Sequence, residues 1–60
     1  MESRYRTADG DVVVAFESGT YPGEDTRRFW FRTPEGNDAF TVEVREVKRR
    51  VATGEWTPLD

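Results

Sequence analysis

Arg27-Arg28-Phe29-Trp30-Phe31-Arg32 is the stretch on which the reading of this chain turns. Side chains alternate across a strand, so Phe29 and Phe31 share one face while Arg28, Trp30 and Arg32 share the other. One face is purely aromatic and belongs to a core. The other interleaves a tryptophan with arginines.

Working outward towards the C-terminus, Pro34-Glu35-Gly36-Asn37 has the composition of a turn. Closing it so that Thr33 faces Asp38 sets Phe31 opposite Phe40 and Phe29 opposite Val42, both on the core face. The same register gives Arg32 with Ala39, Trp30 with Thr41 and Arg28 with Glu43 on the reverse, the last an opposite-charge pair. A hairpin from Arg27 to about Arg45 satisfies both faces at once.

Towards the N-terminus, Ser3 to Glu17 reads as a second hairpin. Asp9-Gly10 suits the two positive-φ positions of a tight two-residue turn. That turn places Tyr5 opposite Val14 and Ser3 opposite Phe16. It gathers Tyr5, Val12, Val14 and Phe16 on one face, with Arg4 and Arg6 on the other beside Val13 and Ala15. Between the hairpins, residues 18–26 form a connecting loop in which Pro22-Gly23 suits the centre of a type II turn. Tyr21, held extended by the proline after it, is expected to fold its ring onto the sheet edge.

Beyond Val44 the alternation loses phase, and two readings stand side by side. A β-bulge near Glu46 lets Val47, Arg49 and Val51 continue a strand, giving an all-β antiparallel sheet or partly open barrel of four to five strands. Alternatively the spacing of Phe40, Val44, Val47 and Val51 suits a helix ending at Gly54, and a short helix around residues 44–53 packs on the sheet as an α+β fold. The β-branched pair Thr41-Val42 favours a strand up to Val44 in either case. Residues 57–60 read as a tail in which Pro58 restricts pairing, with Trp56 and Leu59 capping an open end of the core.

Composition bounds the chemistry. A single small domain of 60 residues buries only about 60% of its unfolded surface, so self-association is one expected route to stability. The absence of Cys and His removes disulfides, thiolate zinc sites and histidine-dependent catalysis. The formal charge of −3 argues against general polyanion binding. Met1-Glu2-Ser3-Arg4 lacks the apolar run of a signal peptide and no stretch approaches the ~20 apolar residues of a membrane span. A cytoplasmic protein without membrane contact is the expectation.

Candidate chemistry is sparse. Ser18, Thr20 and Tyr21 are hydroxyls in a loop with no histidine to activate them, and small polar residues are what turns contain. Glu24-Asp25 and Glu35 with Asp38 are carboxylates in turns, where no apolar pocket raises a pKa. Asp9-Gly10-Asp11 lacks the later ligands of a calcium loop. No catalytic residue, metal ligand or cofactor site is therefore assigned, and no small-molecule cofactor is expected.

Binding is the stronger expectation. Trp, Tyr and Arg are the residue types enriched at protein-binding hot spots, which singles out Trp30, Arg28, Arg32, Tyr21 and Trp56 as partner-binding candidates. The expected function is a non-enzymatic accessory or regulatory module acting through protein contact. Self-association through an edge, either the Ser3–Thr7 strand or a strand after Val47, is part of that expectation. The alternative is a single-stranded nucleic-acid face made of Arg4, Arg6, Arg28, Trp30, Arg32 and Arg45, with bases stacked on the indole.

Overall fold

A computed structural model describes residues 2–59 as an antiparallel sheet with one helix laid across it. In chain order the elements are β1 (Ser3–Arg6), β2 (Val12–Gly19), β3 (Arg28–Arg32), β4 (Phe40–Glu43), α1 (Val44–Ala52) and β5 (Thr57–Pro58). The sheet order is β4-β3-β2-β1-β5, an open sheet with free edges at β4 and β5. Of the two readings of residues 46–51, the helix is the one adopted. The edge anticipated at β1 is not one, because β1 lies between β2 and β5, and the segment from Val47 is helical, so the edge that follows it is β5. No helix among the described residues is long and apolar enough to cross a membrane.

The β3–β4 ladder pairs Arg28 with Glu43, Phe29 with Val42, Trp30 with Thr41 and Phe31 with Phe40, the register expected from the two apolar pairs. Its turn closes differently. The Thr33 N–H donates to Asn37 O at 3.0 Å, so Thr33 faces Asn37 and not Asp38. Gly36 takes φ 92° within this loop, and Asp38, at φ 56°, is the extra residue that restores the register.

The β1–β2 hairpin departs from expectation by one residue. Its ladder pairs Ser3 with Ala15, Arg4 with Val14, Tyr5 with Val13 and Arg6 with Val12. The cause is the turn. Thr7 donates to Asp11 O at 2.8 Å and Gly10 donates to Thr7 O at 2.9 Å, with Gly10 at φ 90°. This is a three-residue loop, a type I turn completed by a left-handed glycine, and not the two-residue turn. A one-residue slip exchanges faces. Val13 and Ala15 join Tyr5 on the helix side, whereas Val12 and Val14 join Arg4 and Arg6 on the other.

The helix side holds the core. Val13, Ala15, Phe31, Val42, Val47 and Trp56 cluster there, flanked by Tyr5, Phe29 and Val51. Phe31 is fully buried at its centre. Its ring stacks on Phe40 at 5.3 Å and meets Trp56 edge-on at 5.2 Å, Tyr5 at 6.1 Å and Phe29 at 6.3 Å. Helix α1 presents Val47 to this cluster and ends where Gly54, at φ 82°, turns the chain back. Thr53 then donates to Arg49 O, and Trp56 to Arg50 O at 3.0 Å, which seats the indole under the sheet.

Thr57 and Pro58, expected in a tail, pair with Arg6 and Tyr5 as the fifth strand. Leu59 N–H donates to Arg4 O at 2.9 Å, so by alternation the Pro58 nitrogen faces away from β1, where its missing donor costs nothing. Trp56 does close the core, at 5% exposure; Leu59 stays 36% exposed.

Candidate functional site

Helix α1 covers one side of the sheet, so the other side is left as a face built from side chains alone. Two local irregularities shape it. Between Ala15 and Glu17 the β2–β3 register shifts, leaving Phe16 as a bulge residue. The bulge turns Phe16 and Glu17 to the same side, because Glu17 pairs with Trp30 while Ala15 pairs with Phe31. Phe16, expected in the core with Tyr5, is instead 38% exposed on the open face. The second irregularity is the turn Tyr21-Pro22-Gly23-Glu24, closed by Glu24 N–H to Tyr21 O at 3.1 Å with Gly23 at φ 83°. It brings Tyr21 back over the sheet.

The result is an interlocked set of rings and guanidinium groups. Tyr21 meets Trp30 edge-on, centroids 5.5 Å apart. The Arg28 guanidinium lies 5.1 Å from the Tyr21 ring centre and donates to Glu24 Oε1 at 3.4 Å and to Thr41 Oγ1 at 3.5 Å. Arg32 lies 6.0 Å over Phe16, donates to Glu2 Oε2 at 2.6 Å and to Thr33 O at 3.1 Å. A Cβ built on Gly19 would stand 3.9 Å from Trp30 Cζ3, so the indole leans across the glycine backbone. Trp30 is half-buried, Tyr21 41% exposed.

Val14 is only 3% exposed although no helix covers its side. It sits in a cross-strand row between Arg32 on β3 and Arg4 on β1, whose aliphatic stems are suited to roofing an apolar neighbour while the charged heads reach water. The face is thus an apolar floor with aromatic and cationic relief.

The candidate residues of the sequence reading distribute as follows. Arg28, Trp30, Arg32 and Tyr21 come together on this face, and Arg4 and Arg6 lie on its β1 flank, exposed. Trp56 does not join them, being sealed in the core on the far side. Arg45 does not either: it stands in the first turn of α1, where its Nε reaches Glu43 Oε1 at 3.2 Å. Arg28 and Glu43 are cross-strand neighbours, yet Arg28 bonds Glu24 and Glu43 bonds Arg45. Phe16, Glu2 and Glu24 are parts of the face that the sequence reading missed. No spacing marks a bulge in the unbroken run Val12-Val13-Val14-Ala15-Phe16, and the ion pairs of Glu2 and Glu24 depend on how the loop and N-terminal segment fold back.

Elsewhere the surface offers less. An apolar groove of about 400 Å³ runs between α1 and the sheet near its β1–β5 end, lined by Tyr5, Phe29, Val47, Lys48, Val51, Ala52 and Pro58. Among these lining residues only Lys48 and Tyr5 carry a polar side-chain group. On the solvent side of α1, Glu46 accepts from Arg49 at 2.6 Å and from Arg50 at 2.8 Å. These bonds hold its carboxyl down at about 2, from 4.5, and Arg49 is raised by the same contact. Arg50 also lies 5.2 Å over the Trp56 ring, so this network fastens the helix end to the core. Among the described residues no group of three or more Asp or Glu side chains is placed to hold a metal ion.

Comparison with known protein families, curated proteins and solved structures finds no match to this chain. Function has to be read from the geometry of the open face.

Proposed function

We propose that this protein is a small non-enzymatic binding module that docks a protein partner on the open face of its sheet. The observation that carries this reading is the Tyr21–Arg28–Trp30 cluster. It is a partly exposed set of two rings and a guanidinium, held together by the Tyr21–Glu24 turn, strand β3 and the neighbouring Gly19 of β2. Trp, Tyr and Arg in a pre-arranged patch lose little conformational freedom on binding, the condition under which a few residues dominate an interface.

Charge argues for protein over nucleic acid. Arg28 and Arg32 are already compensated by Glu24 and Glu2, and Glu17 and Glu43 lie in the neighbouring positions of the face. Such a surface offers a polyanion little net attraction, and counterion release would be small. A protein surface of mixed charge, by contrast, can exchange these pairs one for one. The single-stranded nucleic-acid alternative keeps Arg4, Arg6, Arg28, Trp30 and Arg32 in place but not Arg45, which belongs to α1.

The test is affinity capture from the source cells with three baits: wild type, Trp30→Ala and Arg28→Glu. A protein retained by wild type and lost by both folded variants supports the face. Retention unaffected by either substitution rejects it. Oligonucleotide binding that is lost in Trp30→Ala and weakens steeply with salt would transfer the face to the nucleic-acid reading.

A further inference from the structure

The two edges of the sheet are not equivalent. β5 is two residues long and turns the proline nitrogen of Pro58 outward, so it offers a poor template for another strand. β4 is different. Val44 N–H donates to Arg27 O at 3.0 Å, and with Arg28 paired to Glu43 the alternation of an antiparallel ladder points Val44, Val42 and Phe40 at β3. The backbone groups of Thr41 and Glu43 therefore point outward, away from the sheet. β4 carries no proline and no bulge within its span.

We propose that β4 is a self-association edge: two copies of this chain pair β4 antiparallel about a two-fold axis through Thr41, joining their sheets into one. This inference concerns the edge and stands independently of the open-face reading. In that register Thr41 meets its own counterpart and exchanges N–H to O=C bonds in both directions. Phe40 lands opposite the second copy's Val42 on the helix side, which covers a phenylalanine that is 38% exposed in the single chain. Glu43 lands opposite Ala39, so the glutamates of the two copies stay apart.

Charge disfavours one alternative register: moving the axis to Glu43 sets that residue against itself, and like charges placed opposite destabilise a pair. The isologous contact closes on itself and cannot propagate into a fibre. Trp30 sits one strand in from the seam, so the dimer would carry two copies of the open face on one continuous sheet.

Sedimentation equilibrium from micromolar to millimolar protein, with amide exchange read residue by residue, tests the proposal. The wild type is expected to pass from monomer to dimer, with the Thr41 and Glu43 amides protected at high concentration and released on dilution. Thr41→Pro deletes an outward N–H while leaving the bonds to β3, so it should stay folded and monomeric. The proposal is overturned by a wild type that is monomeric throughout, or by a dimer in which Thr41 and Glu43 exchange as fast as in the monomer. A folded Thr41→Pro that still dimerises overturns it equally, and if Thr41→Pro fails to fold, the wild-type exchange pattern decides alone.

Discussion

Phe31 and Trp56 meet edge to face, centroids 5.2 Å apart and planes at 87°, and are 0% and 5% exposed. One comes from the central hairpin and the other from the segment after the helix, so this contact ties the last part of the chain to the sheet. Removing a buried aromatic side chain costs about 3–5 kcal/mol. A domain of this size is stable by about 3–9 kcal/mol in all. Phe31→Ala and Trp56→Ala are each expected to leave the chain largely unfolded at room temperature, as read by circular dichroism during urea titration. A cooperative transition near the wild-type midpoint in either variant would show that the core closes without this contact.

Thr7, where β1 enters its turn, gives a prediction of opposite sign. Its Oγ1 is buried and has no hydrogen-bond partner among the described residues, while its backbone N–H is engaged with Asp11. Thr7→Val keeps the shape and removes an unsatisfied polar atom, whose desolvation costs about 1–3 kcal/mol. The variant should melt at a higher temperature than wild type. A lower melting temperature would mean that the hydroxyl has found a partner, such as water.

Glu46 predicts an acid-side signature. Its carboxyl is lowered to about 2 from 4.5 by hydrogen bonds from Arg49 and Arg50. A carboxylate with a depressed folded-state pKa contributes stability that is fully present above its unfolded value and disappears as pH falls through the folded one. Wild type should therefore lose stability between about pH 4.5 and 2, and Glu46→Gln should flatten that part of the profile. Denaturant midpoints measured across this range check it, and carbon-detected NMR titration of the Glu46 carboxyl gives the pKa directly. Parallel profiles for the two proteins would rule out the ion-pair network as a source of acid sensitivity.

How much of this was legible beforehand depended on whether the alternatives differed in polarity. In the β3–β4 hairpin only one register matches Phe29 and Phe31 with Val42 and Phe40, so pairing could be read although the turn itself closes at Asn37. In β2 the run Val12-Val13-Val14-Ala15-Phe16 is apolar at every position. Either register buries something hydrophobic, and the choice fell to the number of residues in the Asp9-Gly10 loop, which Asp-Gly serves in both two- and three-residue forms. The helix was visible as a spacing that competed with a bulged strand. In the structure the chain reverses at Gly54, just after α1, and carries Trp56 beneath Phe31. The open face was half legible, since strand alternation grouped Arg28, Trp30 and Arg32. The loop that lays Tyr21 on Trp30 is a tertiary event with only Pro22-Gly23 to announce it.

The two tryptophans separate core from candidate face in one measurement. Trp56 is 5% exposed and sealed beneath Phe31, whereas Trp30 is half-buried, with one edge against Gly19 and Tyr21 at 5.5 Å. Iodide should quench the wild-type emission in two classes, one accessible and one not. Trp30→Phe should remove the accessible class, keep the fold, and cost about 1 kcal/mol or less, as expected for a partly exposed site away from the core. Trp56→Phe should do the reverse, retaining the accessible emission but lowering stability more. If Trp30→Phe leaves the quenchable fraction unchanged, the indole is not open to solvent and the docking face loses its centre. If the accessible class is present in the free protein and becomes shielded in the presence of a captured partner, that partner sits on Trp30.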